Sequence, residues 1–209
     1  MHQADVRDKK GVAGRLFSPP PNLPVSGPAA PLPFFNKDLA MSLSLYDVSI
    51  PVFLRAFQNL SEILKKGEAF ADENAVPHSD LLEARLFPDM APLTAQIQRA
   101  SDTAKFVAVR LGGIDNVPME DNETTFADLH ARIDRTVALL RSLPSDAMDG
   151  KEEIEVVLKS RDSSRTFTGR DYLLGFAIPN FYFHVTTAYA LLRHKGVPIG
   201  KMDYLGRTS

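Results

Sequence analysis

The chain has 209 residues, 44% hydrophobic and 24% charged, enough for one domain with a continuous core. Its net charge of −2 and pI near 6.2 argue against a phosphate-backbone binder, and no apolar run is long enough to span a bilayer. With no cysteine, disulfides, thiolate–metal sites and a cysteine nucleophile are excluded together, so sulfur chemistry would need an external thiol.

Residues 1–40 read as a Pro-rich, disordered leader. "SPPPNLPVSGPAAPLP" places seven of the fifteen prolines between Pro19 and Pro33, with no apolar periodicity. Arg7, Lys9, Lys10 and Arg15 suggest a mitochondrial address, but Asp5 and Asp8 are foreign to one, and a cytoplasmic protein is expected. The folded domain is expected over residues 41–209, with nineteen lysines and arginines against twenty-three acids.

Helical spacing begins at Leu45 and continues through Val48, Val52, Phe53, Ala56, Leu60, Ile63 and Leu64 to Lys65-Lys66-Gly67. Pro51 implies a start near Ser49 or a kink. A short helix over residues 79–86 comes next. The second long helix uses Leu93, Ile97, Ala100, Ala104, Val107 and Leu111 and stops at Gly112-Gly113. The third opens on a capping box, Thr125 and Asp128, carries Phe126, Leu129, Ile133, Val137 and Leu140 inward, and ends before Pro144. "IEVVL" and "RTFT" flank the polar "KSRDSS" and predict a small β-hairpin. The fourth long helix starts near residues 168–171 and runs to His194, bent at Pro179 and stopped by Gly196 and Pro198. The whole predicts an all-α antiparallel four-helix bundle with a β-hairpin between the third and fourth helices.

The fourth helix is apolar on nearly every side, through Phe176, Ile178, Phe181, Phe183, Val185, Tyr189, Leu191 and Leu192, and is expected to be buried accordingly. Yet Asn180, His184 and Thr187 stand at i, i+4 and i+7, on one face. Each would cost about 1–3 kcal/mol if buried without a partner, so the stripe implies a structural hydrogen-bond network, a polar cavity or a ligand site. Asp102 and Gln98, one turn apart on the second helix, are the partners suggested by position. Of the other histidines, His194 suits a helix C-terminus, His130 half-buried packing, His78 a loop and His2 the leader. There is no HExxH, no GxSxG and no phosphate-binding glycine loop.

"PNFYFHVTTAYALLRHKGVPIGKMDYLG", with "SLYDVSIPVFLRAFQNLSEILKK" near the start, resembles an uncharacterised domain-of-unknown-function family of bacterial and fungal proteins. That family is grouped with the DinB/YfiT-like superfamily of metalloenzymes. The resemblance covers about residues 42–206 and implies a DinB-like bundle. Better-known relatives hold a divalent ion, zinc or nickel, with one histidine from the second helix and an HxxxH on the last, and several use a low-molecular-weight thiol. In this chain the second histidine of that motif falls on His184 and the first on Asn180, while the second helix offers only Gln96, Gln98 and Asp102. An amide is a poor transition-metal ligand, so the implied metal site at His184 is degenerate.

The resemblance therefore implies a thiol-dependent transferase or isomerase-like enzyme, with His184, Asn180 and Asp102 as catalytic candidates. The competing reading is a non-catalytic module that binds a small ligand or pairs as a homodimer. Nucleic acid and membrane are not expected partners. "GVPIGKMDYLG" reads as a C-terminal clasp that docks Tyr204 and Leu205, or as a pocket cover using Lys201 and Asp203.

Overall fold

The structure is a computed structural model and describes residues 43–159 and 163–206; the predicted leader and part of the hairpin turn lie outside them. The first helix, α1 (Ile50–Glu73), starts directly after Ser49 with Pro51 in its first turn, where a missing N–H costs nothing. Its inward residues are Ile50, Phe53, Ala56, Phe57, Leu60, Ile63 and Leu64; Val48 and Val52 are only half-buried. A short α2 (His78–Leu82) follows, with His78 on its first turn and its Nε2 2.8 Å from Asp72. Then come α3 (Leu93–Gly112), closed by Gly113 in the left-handed conformation at φ 71°, and α4 (Phe126–Arg141). The capping box forms as expected: the Asp128 N–H donates to Thr125 Oγ1 at 3.1 Å, and the Thr125 N–H donates to the Asp128 carboxylate at 2.9 Å.

The hairpin pairs β1 (Glu155–Lys159) with β2 (Ser164–Thr168) antiparallel, Val157 opposite Thr166. From it the last long helix rises as α5 (Gly169–Asp171), one π-helical turn (Tyr172–Ala177) and α6 (Ile178–His194). Pro179 explains the wide turn. It has no N–H for the carbonyl four residues back, and its ring crowds that carbonyl. A terminal α7 (Lys201–Leu205) lies against α1, where Asn59 donates to the Tyr204 carbonyl at 3.1 Å and Lys66 pairs with Asp203. Tyr204 also meets Thr186 through its hydroxyl at 2.8 Å, so the segment docks as a clasp through Tyr204, whereas Leu205, expected to dock with it, is exposed.

Among the described residues four long helices make an all-α bundle with a single two-stranded hairpin. Its connectivity is not simply antiparallel. Arg132 reaches the Gln98 carbonyl, Thr136 meets Ser101, and Leu143 lies beside Gly112, so α4 advances in the same direction as α3. The segment 113–125 carries the chain back along the bundle to permit this. Phe181 fills the centre against Phe53 and Phe57, with ring centroids 4.6 and 5.2 Å away, and is completely buried. Burial of that ring stabilises the bundle by about 1.5–3 kcal/mol.

Two expectations about buried faces change. The last helix has exposed apolar positions after all: Leu174 and Phe183 are 49% and 55% exposed, and Pro179 is exposed too. On α4 the buried stripe includes Arg132, at 0% exposure, and Thr136, whereas Val137 is only half-buried. A fully buried arginine needs partners. Arg132 contacts Glu123 at 2.9 Å, Asp121 at 2.9 Å and Asp102 at 3.1 Å.

Candidate functional site

The widest contact in the bundle joins α3 to α6, and the polar stripe of α6 faces it. The Asn180 amide donates to Thr103 Oγ1 at 2.8 Å, and Thr103 donates in turn to the Arg99 carbonyl at 2.7 Å. Thr187 bonds its own preceding turn, donating to the Phe183 carbonyl at 2.7 Å. His184, 6% exposed, has its Nδ1 2.8 Å from Gln96 Oε1. Gln96 is itself held by donation from its Nε2 to the Ala91 carbonyl at 2.9 Å. That fixes the amide: its oxygen faces the imidazole, so Nδ1 carries the proton and Nε2 carries the lone pair.

His184 Nε2 has no hydrogen-bond partner among the described residues, yet it is not sealed from solvent, because the side chain borders a cleft of about 500 Å³. Burial drives the His184 pKa down to about 4, and the neighbouring Arg99 guanidinium pushes the same way. The ring is therefore a neutral acceptor at physiological pH.

The π-helical turn has a part in this geometry. On an α-helix a row of every-fourth residues drifts by about 40° per step. A wider turn takes back part of the drift, and Tyr172, Phe176, Asn180 and His184 all reach the same cleft. Tyr172 is almost wholly buried and accepts a hydrogen bond from Arg110 at 2.8 Å. Its hydroxyl pKa is raised by burial, with Arg110 opposing.

Asp102 also borders the cleft, but no hydrogen bond joins it to His184. It lies between two cations, Lys105 at 3.0 Å and Arg132 at 3.1 Å. Gln98 points elsewhere and donates to Glu123 at 2.8 Å. Burial of Glu123 opposes its ionisation, but hydrogen bonds from Arg132 and Gln98 prevail and hold its pKa below the usual carboxylate range. Gln96 is thus the partner that positional reasoning passed over. Its signal was present: three residues after Leu93 and four before Ala100, it sits on the buried stripe of α3.

A zinc or nickel ion does not suit these donors. Around His184 stand the neutral Gln96, Asn180 and Thr103 with the cationic Arg99, and Asp102 is engaged by two cations. Among the described residues no group of three histidine, aspartate or glutamate side chains is placed to hold a metal ion. Nor is any helix among them long and apolar enough to cross a membrane.

A family model described as a domain of unknown function (DUF1993) matches residues 45–205. The fold is similar to the crystal structure of a DinB family member from Shewanella denitrificans. The two share 38% identity with a TM-score of 0.74, over 78% of this chain and 93% of that one. No curated protein matches the chain.

Proposed function

Since the chain belongs to the family defined by this domain of unknown function (DUF1993), on a DinB-like bundle, we propose that the α3–α6 cleft is a small-molecule site centred on neutral His184. The observation that carries the reading is the His184 lone pair: Nδ1–H is anchored on Gln96, and Nε2 is left facing a cleft large enough for a metabolite. Such a nitrogen accepts a proton or hydrogen bond from a bound molecule, without a transition metal. Asn180, tied by its amide N–H to Thr103, offers its carbonyl oxygen to orient that molecule. The reaction class this supports is proton transfer of the isomerase or transferase kind, with any thiol supplied by a second small molecule such as glutathione. Asp102 acts in it by charge, since its carboxylate is held between Lys105 and Arg132.

One observation favours a non-catalytic module instead: with Asp102 so engaged, His184 has no acid–base partner within hydrogen-bonding distance among the described residues of the cleft. The exposed Pro179 and Phe183, one turn apart, support the related proposal of a homodimer joined through that side of the last helix.

Fragment binding to the full chain, followed by ligand-observed NMR, tests the site. His184→Phe removes the acceptor and fills part of the cleft, and should weaken fragment binding about tenfold or more. Undiminished binding would remove His184 from the site. Bound fragments with an acidic C–H beside a carbonyl are then followed in D2O, with and without glutathione. Exchange that requires His184 supports an enzyme; binding without exchange supports the module.

A further inference from the structure

We infer that the molecule accepted by this cleft is an organic anion: an apolar body bearing a carboxylate or phosphate, received by Arg99, Arg110 and Arg165. The inference rests on the cleft being a ligand site, as proposed above.

Among the described residues four cations border the cleft, Arg99 and Arg110 from α3 and Lys159 and Arg165 from the hairpin. Among the same residues they face one carboxylate, Asp102, which is already matched by Lys105 and Arg132. The concentration of positive charge runs against the chain as a whole, whose net charge is −2. Among the described residues no carboxylate pairs with Arg99, Arg110, Lys159 or Arg165, whereas Arg132 and Arg170 both have acidic partners. Like charges sharing a concave wall repel one another, and an entering anion converts that repulsion into attraction.

Arg110 adds geometry to charge. Its guanidinium lies 4.5 Å from the Phe106 ring centroid and 5.4 Å from that of Tyr172, and one of its nitrogens donates to the Tyr172 hydroxyl. A planar cation held between two rings has lost much of its freedom before a ligand arrives, and its remaining N–H groups match a carboxylate or phosphate edge. The apolar share of the ligand meets Phe106, Leu158 and Phe176. Nε2 of His184 contributes a neutral acceptor beside this charge, so a ligand with both an acidic head and a hydrogen-bond donor satisfies both parts of the wall.

Isothermal titration of the full chain with four probes of matched bodies tests the inference: 3-phenylpropionate, 3-phenylpropyl phosphate, the neutral 3-phenylpropanol and the cationic 3-phenylpropylamine. One of the two anions should bind at least about tenfold more tightly than the alcohol, and the amine should be weakest. Which anion leads tells carboxylate from phosphate. Arg99→Gln with Arg165→Gln, both on exposed side chains, should cut the anion preference about tenfold and leave thermal unfolding of the ligand-free protein unchanged. An alcohol or amine that binds as tightly as the anions overturns the charge assignment and leaves the cleft a ligand site. An anion preference that survives the double substitution overturns the assignment of these arginines. Failure of all four probes at millimolar concentration overturns both the inference and the site beneath it.

Discussion

At the scale of single residues, His184 has the sharpest solution signature. Its pKa near 4 lies below the ordinary histidine value of 6.5 because burial, aided by Arg99, disfavours the imidazolium. Between about pH 4 and 6.5 the unfolded chain therefore binds more protons at this site than the folded one. Stability falls as pH drops through that window, and the histidine exacts no penalty above about pH 7.5. The full effect is about 3 kcal/mol, equivalent to the distance between the two pKa values. Urea unfolding at a series of pH values should show this slope, and His184→Gln should flatten it whatever it does to stability at pH 8. An unchanged slope would mean that the imidazole is not shielded as the cleft geometry requires. The sequence exposed Asn180 and His184 readily, because polar groups on an apolar helix stand out. Gln96 did not stand out, since one helix held three polar candidates and only three-dimensional packing selects among them.

Among elements, the pairing of α3 with α4 depends on one buried cation. Arg132 is fully buried and connects Glu123, Asp121 and Asp102, so the crossover segment is fastened to both helices at once. Arg132→Leu leaves Glu123 buried without its main counter-charge and should destabilise the protein by about 3–5 kcal/mol in urea denaturation. A loss below about 1 kcal/mol would place the network at the surface in energetic terms. Apolar spacing located every long helix, because a 3.6-residue period is written directly in the chain. The relative direction of α3 and α4 is not written there. Thirteen residues, 113–125, can reach about 43 Å, whereas the sixteen residues of α4 rise about 24 Å, so the connection is long enough for either direction. Arg132 was equally hard to place, since arginine in a stripe of leucines reads as its border until its partners are seen.

For the molecule as a whole, the proposed homodimer turns on the Pro179 and Phe183 side of the last helix. Sedimentation velocity on the full chain should find a dimer, and Phe183→Glu should shift it to monomer without unfolding the bundle, because Phe183 is 55% exposed. A monomeric wild type at all concentrations would discard that interface. Phe181, on the same helix, has a different consequence. The ring that packs on Phe53 and Phe57 belongs to α6, which follows the other long helices of the bundle in the chain. Until it arrives, a nascent chain already carrying α1, α3 and α4 presents those two phenylalanines to water. The same delay holds for the cleft, whose walls come from α3, the hairpin and the last long helix. Until α6 has left the ribosome the cleft lacks the Asn180 and His184 wall, so no ligand can be held there before that helix is in place.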